Sequence, residues 1–151
     1  MATGTVSSVS GDNWQLISSV TPTNGATSVT FSSIAGYKTI MVVLSGIVAS
    51  GTEIMYLQFN GDTTGGDYFG TTPGVSLGQS FTATAQGRVA IINDVDKSVP
   101  HIVNSTVSAT LATTSLNIWT TASPITSITC AFTAGVTFTA AGTIALYGIA
   151  S

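Results

Sequence analysis

The sequence predicts an all-β fold: an antiparallel β-sandwich, jelly-roll-like, built as a single domain. Three observations predict it. Apolar and polar residues alternate in short runs, as in His101, Val103, Ser105 and Val107 against Asn104, Thr106 and Ser108, which is the two-residue period of a strand with one buried face. Clusters of Gly, Pro, Asn, Ser and Thr separate these runs and supply the backbone freedom that turns require. No stretch carries a helical period, a heptad or an internal repeat, and short strands at regular spacing argue for a sandwich or jelly roll. At 151 residues, one such domain buries about 70 per cent of the surface its unfolded chain exposes.

The elements follow in order. Residues 1–12 are Ser, Thr, Gly and Ala without periodicity, a flexible arm or a strap over a neighbouring subunit, and residues 13–151 form the sandwich. A first strand is expected over 13–20, with Trp14, Leu16 and Ser18 on one face. The turn Thr-Pro-Thr-Asn-Gly at 21–25 leads to a strand over 26–31 with Val29 and Phe31 inward. The run 37–47 is apolar on both faces, Ile40, Val42 and Leu44 against Met41 and Val43. Such a strand is central in a sandwich or half covered by another subunit. It is expected to form a hairpin with the next strand, 53–60, in which Met55, Leu57 and Phe59 face one way.

Residues 61–78 read as a long surface excursion, and loops of that length tend to carry function or a subunit contact. Strands are then expected over 79–85 and 88–93. The only charge cluster, Asp94, Asp96 and Lys97, reads as an exposed turn. Further strands are expected over 101–111, 116–119, 125–132 (Ile128, Cys130 and Phe132 inward), 136–139 and 142–149.

Charge is the unusual quantity. Asp, Glu, Lys and Arg make up 6 % of the chain, against roughly 25 per cent in an ordinary soluble domain. A surface so poor in charge must be made of Ser, Thr, Asn and Gly, with much of its apolar remainder covered by copies of the chain or by a partner. An obligate oligomer is therefore expected. Three cationic side chains, Lys38, Arg88 and Lys97, and a net charge of −3 speak against nucleic acid as a partner. The apolar run 40–49, interrupted by Ser45 and Gly46, is shorter than the ~18 residues of a spanning helix, so no membrane association is expected. The N-terminus has neither a basic start nor an apolar core of the kind a signal peptide carries, which places synthesis in the cytoplasm.

Chemistry-bearing constellations are few. The single cysteine, Cys130, sits in an alternating strand as a small buried hydrophobe, and the single histidine, His101, opens a strand beside Pro100. There is no Gly-x-Ser-x-Gly elbow, no His-Glu-x-x-His and no phosphate-binding glycine loop, so neither an enzyme nor a cofactor is expected. Asn60, Asp62 and Asp67 bracket a glycine-rich loop and are weak candidates for a calcium site, their spacing departing from the usual calcium loop. Turn formation is the competing role for all three.

The segment 56–69, YLQFNGDTTGGDYF, resembles the YLRFNGDTGxNY segment of many small β-sandwich structural proteins of tailed bacteriophage virions. The closing 142–149, GTIALYGI, is similar to the G-x-I-x-L-Y-G strand that commonly ends such chains. Two departures stand out: Gln58 replaces a frequently basic residue, and the loop through Thr63, Thr64, Gly65 and Gly66 is slightly longer. The resemblance implies a virion structural protein on the capsid surface, a decoration or cement protein that forms a homotrimer and touches the major capsid protein. Asn60, Gly61, Asp62, Tyr68 and Phe69 are then candidates for subunit or capsid contact. The alternative it implies is a tail-fibre or head-fibre tip that binds a host glycan, with Tyr68 and Trp119 as stacking candidates.

Overall fold

The computed structural model describes residues 13–68, 74–81, 84–93, 101–108 and 112–151. Ten strands follow one another: β1 (Gln15–Val20), β2 (Ser28–Phe31), β3 (Tyr37–Ile47), β4 (Glu53–Phe59), β5 (Val75–Phe81), β6 (Ala85–Ile92), β7 (His101–Ser108), β8 (Ala112–Trp119), β9 (Ile128–Phe132) and β10 (Thr143–Ala150). They form two antiparallel sheets, one of six strands in the order β1-β10-β3-β6-β7-β8 and one of four in the order β2-β9-β4-β5. The quartets β1-β10-β3-β6 and β2-β9-β4-β5 are the two sheets of a jelly roll, wound with the chain passing between layers. β7 and β8 are a hairpin added to the first sheet, paired along its whole length from His101 opposite Trp119 to Ser108 opposite Ala112.

The core lies between the sheets and is the inward half of each alternating run. Ile40, Val42 and Leu44 of β3, Val89 and Ile91 of β6, and Ile144 and Leu146 of β10 meet Met55, Leu57 and Phe59 of β4 and Ile128, Cys130 and Phe132 of β9, all buried. Full burial of each such side chain contributes about 1.5–3 kcal/mol. This layer is therefore the main source of stability.

The structure corrects several expectations. β3 and β4 do not pair; they belong to opposite sheets, because both carry an inward row that the same core must receive. The chain leaves β3 through a register irregularity between Leu44 and Ile47, where Gly46 has φ 66°. A side chain at Gly142, itself at φ 74°, would lie 2.3 Å from the Gly46 backbone, so this crossing needs glycine. Residues 61–78 are not one open excursion: Gly65–Tyr68 is a 3-10 turn, and β5 starts at Val75, with Val75 and Leu77 buried. The strand expected over 79–85 is the end of β5 followed by the start of β6.

Trp14, just before β1, and Leu16, within it, are exposed, and Ser18 does not share their face. A bulge between Leu16 and Ser18 shifts the inward role to Ile17 and Val20, which pack on the core. β8 is twice the expected length, its Thr-Thr-Ser start held by pairing with β7. Residues 136–139 make only one isolated bridge, Phe138 with Ala49. The 1–12 arm, the charge cluster around Asp94, Asp96 and Lys97, and Phe69 lie outside the described residues.

Candidate functional site

The recognisable loop is built from β4 outward, and it is an internal clamp. Asn60 ends β4 at φ 53°, a conformation asparagine tolerates better than most residues. From there its carboxamide oxygen accepts N–H bonds from Thr126 (2.8 Å) and Ser127 (3.1 Å), and its amide donates to the Pro124 carbonyl (2.8 Å). It ties β4 to the segment entering β9. Asp62 accepts from the Thr64 amide at 2.9 Å and from the Trp119 indole N–H at 2.9 Å. That indole bond, first among the causes, holds the Asp62 carboxyl below the usual carboxylate range. Asp67 accepts at its carbonyl from the Thr120 amide (2.9 Å) and at its carboxylate from the Thr120 hydroxyl (3.2 Å).

Tyr68 and Trp119 sit beneath this loop, each 1 % exposed. Their rings stack at 6.4 Å, and Phe59 closes on Trp119 at 5.4 Å. The Phe59 N–H donates to the Tyr68 hydroxyl at 3.0 Å, and that hydroxyl donates to the Asp62 carbonyl at 3.0 Å. Burial pushes the Tyr68 phenol up to about 12. The motif residues are thus joined into one structure, but an inward one.

Two candidate roles change accordingly. Tyr68 and Trp119 offer no ring face to a sugar, because both rings are spent on each other and on Phe59, so the stacking role does not hold for them. Asn60, Asp62 and Asp67 are each engaged by protein donors, as turn chemistry demands, and the Asp62 and Asp67 carboxyls also interact with each other. Among the described residues no group of three or more His, Cys, Asp or Glu could hold a metal ion. Asn60 and Gly61 are exposed and Asp62 partly so, which leaves the rim of the loop accessible for contact while Tyr68 is not. Cys130 is fully buried, and burial pushes its thiol up to about 12. Among the described residues no helix is long and apolar enough to cross a membrane.

What the sequence reading did not single out is a difference between the two outer faces. On the four-stranded sheet the outward residues include Ser28, Thr30, Thr129 and Gln58, with the Thr30 and Thr129 hydroxyls 2.9 Å apart, together with Ile54, Tyr56 and Ala131, none of which is exposed. Its exposed positions, Ser28 and Thr30, carry hydroxyls. On the six-stranded sheet the register sets Leu16 opposite Tyr147, Tyr147 opposite Met41 and Met41 opposite Ala90, and the same row continues through Asn104 on β7 to Leu116 on β8. Beside it run Val43 with Ala145, and Ile149 with Thr39 and Ile92. Leu16 is 58 %, Ile92 51 % and Leu116 70 % exposed. An open depression of about 520 Å³, lined by Met41, Val43, Gly87, Arg88 and Thr106, lies in this face. Arg88 is its one charged side chain among the described residues. The signal for this face was present in the sequence: β3 is apolar on both sides.

A second residue passed over is Asn93, the one buried polar side chain among the described residues. Its amide donates to the Tyr37 carbonyl at 2.9 Å and its oxygen accepts from the Ile125 N–H at 3.0 Å. It joins three segments, as buried amides must when they are not to lose their hydrogen bonds.

No protein-family model, no curated protein and no solved structure matches the chain.

Proposed function

We propose that this chain is a structural protein of a tailed-phage particle, a capsid decoration or cement protein that assembles as a homotrimer on the capsid surface and contacts the major capsid protein. The observation that carries the assembling role is the outer face of the six-stranded sheet, where Leu16, Ile92 and Leu116 are exposed, while the exposed positions of the other outer face are Ser28 and Thr30. Exposed contiguous apolar area of that kind marks an interaction site. The jelly roll is an architecture that capsid domains use repeatedly, and the segments 56–69 and 142–149 carry the resemblance to virion proteins. The action is mechanical: each copy binds the assembled shell and not its separated parts, so assembly gains stability by mass action.

The test is the copy number of this chain relative to the major capsid protein in purified particles. A ratio on the scale of the capsid lattice is expected, together with a lower melting temperature for particles stripped of the chain. A handful of copies per particle would move the protein to the tail and end the decoration reading.

A further inference from the structure

We infer that copies of this chain associate through the outer face of the six-stranded sheet, with β3 and β10 at the centre of the contact; this rests on the homo-oligomer reading above. Among the described residues, all four exposed large hydrophobic side chains, Trp14, Leu16, Ile92 and Leu116, belong to this sheet or to the residue leading into it. Three of them lie on one outer face by register: Leu16 and Leu116 end a single row that passes through Tyr147, Met41, Ala90 and Asn104, and Ile92 stands in the next row beside Thr39. The opposite sheet gives the internal contrast: its outward Ile54, Tyr56 and Ala131 are not exposed, and its exposed outward positions are Ser28 and Thr30. Two faces of one protein made by the same strand chemistry differ in polarity, and the apolar one is the one that needs cover.

A second copy fits the face by area and by charge. Six strands spaced ~4.8 Å apart, with outward residues ~6.8 Å apart along each strand, give three rows a projected footprint of roughly 500–600 Å². With side-chain relief this approaches the roughly 800 Å² per partner of a stable complex. Arg88 is the only charge on the face among the described residues, so a like face meets it with no row of opposed charges to repel. The depression between Met41, Val43 and Arg88, about 520 Å³, is a socket, and the leucines at the ends of the row are knobs. A closed ring brings an end leucine of one copy over the socket of the next.

The experiment is sedimentation velocity on the full chain across the micromolar range, comparing the parent with Ile92→Glu, Leu116→Glu and, on the opposite face, Thr30→Glu. All three positions are exposed, so near-ultraviolet circular dichroism should show an unchanged fold. The parent and Thr30→Glu should sediment as one oligomer, with Ile92→Glu and Leu116→Glu at least tenfold weaker in association. An oligomer kept by both glutamate variants on the apolar face would overturn this interface and leave the homo-oligomer reading standing. A parent that stays monomeric would overturn both. Should a glutamate variant fail to fold, a nitroxide on Leu116→Cys gives a second readout, because Cys130 is buried and will not take the label. Immobilisation that grows with protein concentration supports the inference. A label that is immobilised only on particles would assign the face to a different protein and overturn it.

Discussion

At the scale of single residues, hydrogen bonds to buried groups decide more than charge does. Tyr68→Phe keeps the ring stack with Trp119 but removes the acceptor of the Phe59 N–H and the donor to the Asp62 carbonyl. Loss of a buried partner of this kind costs about 1–3 kcal/mol, and urea denaturation should find that loss; a variant as stable as the parent would contradict the clamp. Asp62 makes a pH-dependent contribution with a definite sign. Its carboxyl is held below the usual carboxylate range by the indole N–H, so the folded state binds its proton less readily than the unfolded state does. The stabilisation is complete above the unfolded value and disappears as pH falls through the lower folded value. Asp62→Asn should therefore be less stable than the parent at neutral pH, with the gap narrowing in the acid region; a gap that is flat with pH would contradict this. Cys130, buried and with its thiol pushed up to about 12, should react with a thiol reagent only at the rate of unfolding, which a comparison of labelling rates with and without urea checks.

At the scale of elements, the alternating runs were legible and the partners were not. Ile40, Val42 and Leu44 read as one inward row from spacing alone, as did Met55, Leu57 and Phe59, because a two-residue period is a local property. That β3 and β4 stand in opposite sheets is a property of the whole core, and neighbours in sequence gave a misleading hairpin. The bulge in β1 separated Leu16 from Ser18, which alternation alone puts on one face, since one extra residue turns every later side chain over. β5 was hidden because glycines at 74 and 78 interrupt the pattern that Val75 and Leu77 begin. The loop 60–68 was legible as a motif, but its direction was not: turn residues such as Asn60 and Asp62 look the same whether they bind a ligand or their own backbone. Glycine positions give a direct test of the crossing between β3 and β10. Gly142→Ala would place a methyl 2.3 Å from the Gly46 backbone, whereas a side chain at Gly66 meets nothing within 4 Å. The first substitution should destabilise by about 2 kcal/mol or more and the second should be close to neutral, both read from thermal unfolding; equal effects would contradict the close approach.

At the scale of the whole molecule, three Lys and Arg against six Asp and Glu leave little for salt to screen. Self-association through an apolar face should change less than about twofold between low and high ionic strength, and sedimentation at several salt concentrations measures it. A steep salt dependence would point to charged contacts in place of the sheet face. The jelly roll also has two unlike flanks. On one, β8 lies against β5, with the Ser115 hydroxyl and Asn117 amide both reaching the Ser76 carbonyl. On the other, β1 and β2 end their sheets. Runaway strand addition needs an acceptor edge at both ends of a sheet, and here the added hairpin stops one end. A copy that pairs along the β1 and β2 flank then meets β8 packed on β5 at the other flank and has no second free edge from which to grow, so the hairpin acts as a chain terminator against fibres.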